Sequence, residues 1–248
     1  MKTPILYFGA PGIGKTAKVR SSYDVVEVVL LSAMTEEDVA GLPYREGRYE
    51  FRTIPPFIRR LQEQPQDKTI CLFLDEIDKA RREVADTLLT LITHPSDFGL
   101  PERINIIAAA NPPEWGGGDG LSQAMMSRFS VIESTPQFVE FEAFILNKYK
   151  SVDWVVNLCR MIEVGELPLL EQVGEGFNWR LSCPRTYDLA IQAIIDEQSD
   201  EVIYGLLTPN SASGILSLIK INGMDDIVQK LSRTVASKGR GYPIRISN

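Results

Sequence analysis

The residues with the clearest chemistry fall within the first sixteen positions. Gly9-Ala10-Pro11-Gly12-Ile13-Gly14-Lys15-Thr16 follows the pattern G-x-x-x-x-G-K-[ST]. Glycines in such a loop let backbone N–H groups wrap phosphate oxygens, and a following helix N-terminus adds positive potential. Lys15 is then placed to reach the β- and γ-phosphates of a nucleoside triphosphate, and the Thr16 hydroxyl to ligate a magnesium ion. A second group stands at Cys71-Leu72-Phe73-Leu74-Asp75-Glu76, an apolar run ending in two carboxylates. A strand of this kind delivers both to the C-terminal edge of a parallel sheet, where ligands bind. Asp75 is expected to hold the magnesium, directly or through water, and Glu76 to polarise an attacking water as general base. The neighbouring Glu argues for hydrolysis rather than binding alone.

Three more residues are candidates. Asn111 follows an apolar run in Ala108-Ala109-Ala110-Asn111-Pro112. An amide at that edge would orient water against a γ-phosphate, although Asn-Pro is also ordinary turn chemistry. Arg128, in Ser127-Arg128-Phe129, reads equally well as a plain exposed arginine. Arg185, in Cys183-Pro184-Arg185-Thr186, lies at a helix start, where the helix dipole disfavours a cation. An anion nearby would account for it.

The elements that must position these groups are legible from periodicity. Thr3 to Phe8, Val25 to Leu31, Thr69 to Leu74 and Ile104 to Ala109 read as buried strands, with Val131-Ile132 a possible fifth. A helix should begin at Thr16. Thr35-Glu36-Glu37-Asp38 has the signature of a capped, acidic first turn. Gly41 to Thr53 suggests a projecting hairpin, with Tyr44, Tyr49 and Phe51 flanking Arg45-Glu46-Gly47-Arg48. Pro55-Pro56 opens a helix running to about Gln64. Val84, Leu88, Leu91 and Ile92 make one apolar helix face, and His94 before Pro95 reads as that helix's C-terminus. Gly116-Gly117-Gly118 looks like a flexible loop. Strands alternating with helices imply an α/β fold, a mainly parallel sheet covered on both faces. From Pro136 the pattern turns helical, at 138–149, 152–164, 184–197 and 227–235. We therefore expect an α/β nucleotide-binding domain over 1–135, with a hairpin insert at about 41–55. A smaller helical lid domain and a basic tail follow over 136–248.

Composition narrows the function. At 248 residues with 44% hydrophobic and 24% charged residues, the chain can build ordinary cores. Its net charge of −7 argues against a general nucleic-acid binder, which needs a basic face. A local patch remains at Lys230, Arg233, Lys238, Arg240 and Arg245. Cys71, Cys159 and Cys183 are widely spaced, which gives no zinc motif and fits a reducing compartment. No apolar run is long enough to span a bilayer and no signal peptide is evident, so the cytoplasm is the expected location.

The ordered set of motifs resembles the AAA+ ATPases, specifically the MoxR-like group, over nearly the full length. Residues 9–16 are similar to its Walker A motif and Leu72 to Asp78 to its Walker B. Asn111 matches sensor 1, Arg128 the arginine finger, and Pro184-Arg185 sensor 2. Leu42 to Phe57 is similar to a hairpin insert in helix 2. The resemblance implies a P-loop sandwich with a helical lid, assembled as a homo-oligomeric ring, often a hexamer, with ATP and Mg2+ between subunits. Lys15, Thr16, Asp75, Glu76 and Asn111 would act in cis. Arg128 would reach the neighbour's γ-phosphate, and Arg185 would act from the lid.

It further implies an ATPase that remodels or activates a partner protein, in this group often one with a von Willebrand factor A domain. Two departures are expected: no N-terminal helix to line the adenine pocket, and no separate partner-binding domain. A nucleic-acid-associated factor such as a helicase loader is the alternative, through the hairpin and tail. A GTPase is disfavoured because Asn147-Lys148-Tyr149-Lys150 lacks the carboxylate of the guanine-binding motif. Tyr44, Arg45, Arg48 and Tyr49 are candidates for a substrate-contacting surface at the ring pore, or else form an ordinary solvated hairpin.

Overall fold

The computed structural model describes residues 2–118 and 121–222, apart from the side chain of Phe177. The basic residues from Lys230 onward and the expected helix at 227–235 lie outside the described residues. The chain divides into two compact units, with the boundary between Thr135 and Pro136.

In the first unit, β1 (Ile5–Phe8) runs through the glycine loop into α1 (Lys15–Ser22), followed by β2 (Val25–Leu30) and α2 (Glu36–Ala40). The hairpin β3 (Pro43–Glu46) and β4 (Tyr49–Arg52) leads to α3 (Pro56–Gln62) and β5 (Ile70–Asp75). Then come α4 (Arg82–Thr93), β6 (Asn105–Ala110), the single turn α5 (Gln123–Met126) and β7 (Ser130–Glu133). Five strands form one parallel sheet in the order β2-β5-β6-β1-β7.

Both faces of the central strands are apolar because both are covered. Leu6, Leu72, Leu74, Ile106 and Ala108 pack with Phe57, Ile58 and Leu61 of α3 and with Val84, Leu88 and Leu91 of α4. Alternate residues Cys71, Phe73, Ile107 and Ala109 face the other way, against Val19 of α1. Period-2 alternation with no polar face is the mark of a sheet sandwiched between helices, which is the expected α/β arrangement. The burial of Cys71 pushes its thiol up to about 12, so it behaves as a packing residue and not a nucleophile.

One strand departs from expectation. The aliphatic run at 25–31 reads as a buried strand, but β2 is the sheet edge and only Val29 within it is buried. Glu27 interrupts the run and pairs with Arg60 of α3. A charge on an edge strand also discourages pairing with another chain.

Two local signals hold as read. Thr35 caps α2, its hydroxyl accepting from Asp38 N while Asp38 Oδ2 accepts from Thr35 N. Gly41 closes the hairpin base: its φ is +82°, and a Cβ there would come 1.8 Å from Thr53 O.

The second unit begins with α6 (Phe138–Lys148) and α7 (Trp154–Glu163). A short antiparallel pair, β8 (Glu171–Val173) and β9 (Arg180–Ser182), follows, between the helices read at 152–164 and 184–197, where the strand signal in the sequence is weak. Next are α8 (Pro184–Ile195), α9 (Asp200–Leu206) and a helix through 209–222. All five helices contribute to one core, with Ile145, Leu158, Tyr187, Ile203 and Ile215 at or near complete burial. The Tyr187 hydroxyl lies 2.9 Å from both Pro168 O and Ser211 Oγ, tying α8 to two other segments. Burial lifts its phenol to about 12. Tyr187→Phe leaves the buried carbonyl and hydroxyl short of a partner. It should cost about 1–3 kcal/mol in urea unfolding with the fold retained, as hydrogen-bond deletions of this kind do.

Candidate functional site

The parallel register sets the site. Phe8 aligns with Ala110, and Leu74 with Ala108, so β1, β5 and β6 end at nearly one level. The glycine loop leaves β1, Asp75 closes β5, and Asn111 follows β6. All therefore emerge on the C-terminal edge of the sheet.

The loop's backbone explains its glycines. Gly12 and Gly14 have φ of +74° and +98°, a region that residues with a Cβ enter at a cost. Gly9 is required by space, since a Cβ there would sit 2.2 Å from Ser134 O. Gly14 is the N-cap of α1, so the free N–H groups of the helix's first turn open onto the loop. Ala10 and Ile13 are buried and Pro11 partly so, which fixes the loop from below.

Lys15 Nζ donates to Gly9 O at 2.7 Å, to Ala10 O at 2.9 Å and to Asn111 Oδ1 at 2.7 Å. Its ammonium is thus held at the mouth of the loop, in contact with the residue after β6. Thr16 Oγ1 donates to Asp75 Oδ2 at 3.1 Å. This contact links the first turn of α1 to the end of β5, two strands away from β1 in the sheet. A hydroxyl and a carboxylate this close form a hard oxygen pair suited to Mg2+.

Glu76 occupies the left-handed region, at φ 55° and ψ 42°. For a residue with a full side chain that conformation costs about 1–2 kcal/mol, and it turns the chain sharply at the strand end. Neighbours hold the carboxylate: Ser32 donates to Oε2 at 2.6 Å, and Lys79 Nζ lies 3.3 Å from Oε1. Neither was evident in the sequence. Ser32 comes from the turn after β2, 44 positions away, and no local pattern marks it.

Asp78 is the other residue missed. Its buried carboxylate accepts the backbone N–H of Asn111 and that of Gly118, both at 3.2 Å. The glycine run is accordingly not the flexible loop that its composition suggests. A Cβ on Gly117 would come 2.2 Å from Asn111 O, and one on Gly118 would come 2.2 Å from Asp78 O. These glycines are needed for close packing of backbone on backbone.

The remaining candidates come from other elements. Arg128 follows α5 and precedes β7, whose first residue pairs with Ile5 at the start of β1. It therefore lies towards the opposite edge of the sheet from the glycine loop, about four residues of strand, or roughly 13 Å, away. Arg185 is exposed at the second position of α8, in the second unit. Among the described residues it has no hydrogen-bond or ion-pair partner.

The hairpin is exposed on both faces. Tyr44 and Phe51 stack with ring centroids 5.5 Å apart, and Tyr49 is 73% exposed beside them. Arg45 and Arg48 are also exposed.

Replacing Asp78 by Asn leaves one acceptor oxygen for two buried N–H groups. A stability loss of about 1.5–3 kcal/mol is expected, the range for charged hydrogen bonds. It should be accompanied by weaker binding of a fluorescent ATP analogue as Asn111 shifts.

The pattern of the AAA domain, dynein-related subfamily, matches residues 4–129, about half of the chain. Midasin of Giardia intestinalis is 24% identical over 205 residues, covering 72% of this chain. The chain spans only 4% of that relative's length. Among solved structures, the Thermotoga maritima RuvB Holliday junction branch migration motor aligns at 17% identity with a TM-score of 0.47. That alignment covers 98% of this chain and 71% of RuvB. A variant of the same protein aligns with a TM-score of 0.49 at the same identity and coverage. No helix among the described residues is long and apolar enough to cross a membrane.

Proposed function

We infer the function from one premise: the chain belongs to the AAA domain family, dynein-related subfamily. Membership of this family of P-loop ATPases implies nucleotide binding. We propose that the chain is a magnesium-dependent ATPase of the MoxR-like kind, working as a homo-oligomeric ring, with a hexamer expected, to remodel or activate a partner protein. The observation that carries the catalytic reading is the convergence of Lys15, Thr16, Asp75 and Asn111 through contacts of 2.7 and 3.1 Å.

In this reading each residue has a separate task. The loop amides and the first turn of α1 receive the phosphate oxygens. Lys15 transfers its ammonium from the Gly9 and Ala10 carbonyls to the β- and γ-phosphates. Thr16 and Asp75 hold Mg2+, which when bound draws negative charge off the phosphates. Glu76 accepts a proton from the attacking water. Asn111 directs the water with its amide.

Arg128 lies towards the other end of the sheet, which supports assigning it to a neighbour's nucleotide within a ring. Arg185, exposed and lacking a partner among the described residues, suits an anion, and the nucleotide is the anion that the family resemblance assigns to it. The hairpin with Tyr44, Arg45, Arg48 and Tyr49 is assigned to substrate contact. A protein with a von Willebrand factor A domain is the partner class implied by the resemblance. Three buried, unpaired cysteines are compatible with the cytoplasm.

Glu76→Gln keeps every phosphate contact and removes the base. It should lower phosphate release by about 10²–10⁴-fold, the usual worth of a general base, while retaining bound ATP and a larger assembly on gel filtration. Turnover at the wild-type rate would remove Glu76 from the mechanism.

A nucleic-acid substrate is the second reading. Arginines interleaved with exposed aromatics on the hairpin can pair with phosphates and stack on bases. If it holds, single-stranded DNA or RNA should stimulate ATP turnover at low salt and lose that effect as salt rises. Turnover indifferent to both at low salt leaves the protein-substrate reading.

A further inference from the structure

The segment that carries Arg128 is fixed at both ends of the side chain. Its backbone is pinned between buried neighbours: Met125 packs into the main core, and so does Phe129. Arg128 N donates to Met125 O at 3.1 Å, and Phe129 N to Met126 O at 3.2 Å. The guanidinium is held separately. Nε donates to Thr93 Oγ1 at 3.0 Å, and Nη1 to Ala124 O at 2.6 Å. Thr93 is the last residue of α4 and is exposed.

The Thr93 hydroxyl is itself oriented. It donates its one proton to Leu89 O at 2.6 Å, so towards Arg128 it can act only as an acceptor. A guanidinium has five N–H donors. Two are used here. Both on Nη2 and the second on Nη1 have no acceptor among the described residues. The result is a tethered arginine whose remaining donors meet no acceptor among the described residues. A lone solvated arginine would gain little from two such tethers. One that must meet a phosphoryl group on arrival gains a great deal, because fixing a charged fork beforehand removes the entropy of ordering it in the transition state.

We propose that Thr93 is the positioning residue for Arg128. It fixes the guanidinium so that its free edge is presented to the γ-phosphate of a nucleotide bound by a second copy of this chain. This rests on the reading of Arg128 as a residue that acts in trans. Thr93 does not touch the nucleotide. It acts through the arginine alone, from the subunit that donates the arginine.

Thr93→Val keeps the shape and removes the acceptor. Turnover number should fall about tenfold with KM for ATP within about twofold, since a misplacement of 1 Å can cost about 10²-fold. Thr93→Ser restores the hydroxyl and should recover most of the rate. Equal melting temperatures for the three proteins separate positioning from folding.

The decisive experiment mixes subunits and measures phosphate release. Arg128→Ala should lose about 10³-fold alone, and mixing it with Glu76→Gln should restore activity. The first provides an intact nucleotide site and the second an intact arginine. Adding Thr93→Val to the Glu76→Gln subunit should remove most of that recovery. Adding it to the Arg128→Ala subunit should remove none, because the arginine there is already gone. No recovery in the first mixture overturns the shared-site reading itself. Recovery that ignores Thr93→Val in the arginine-donating subunit leaves that reading intact and overturns the role of Thr93. A loss that is equal from either subunit also overturns it, by showing that Thr93 supports only the fold.

Discussion

Everything at the nucleotide site depends on three strands ending at one level. Parallel hydrogen bonding couples β1 to β6 and β6 to β5, and the register brings Phe8, Ala110 and Asp75 to the same edge. A one-residue slip of β6 would move Asn111 along the strand and turn its side chain to the other face. Lys15 would then lose its amide partner, and Asp78 would lose the N–H that it accepts. The small residues Ala108 to Ala110 and the large ones beside them keep both faces of this strand filled. That packing resists the slip. The apolar sheet is thus the device that sets distances in a polar site.

A second layer of control comes from residues that hold the catalytic candidates without touching substrate. Asp78 joins the end of β5 to the segment after β6. Ser32 joins the turn after β2 to Glu76. In each case a short polar contact links elements that are far apart in the chain, across a region where the sheet has already fixed the separation. Such contacts contribute about 1 kcal/mol each to stability when neutral and more when charged. They contribute to function by limiting where a reactive group can point.

How much of this could be read from the sequence follows from the range of each interaction. The glycine loop between a strand and a helix, the strand ending at Asp75, the apolar face of α4 and the cap of α2 are local patterns, and these elements formed where they were read. The hairpin was legible because its aromatics flank a glycine turn. The edge position of β2 was not, since an aliphatic run reports burial and says nothing of strand order. Glu27 was the available signal. The pair β8–β9 was hidden because three-residue strands are too short for a period to register. Gly117 and Gly118 show how composition misleads: the same residue suits flexible loops and tight backbone contacts, and only the neighbours decide. Ser32 and Thr93 carry no motif, and Asp78 was legible only as the end of the Walker B-like run, with nothing to mark its contacts. Each matters through a partner more than thirty positions away.

The left-handed backbone of Glu76 has a consequence for how this chain can change over time. At φ 55° a glycine or asparagine would sit with less strain than glutamate does. Drift under selection for foldedness alone would therefore tend to replace this side chain, and each replacement would be rewarded by a sturdier chain. Glutamate here carries a backbone cost that the proposed role of its carboxylate as base would offset. On that reading, descendants of this chain that had shed catalysis would be expected to lose it early, before the glycine loop.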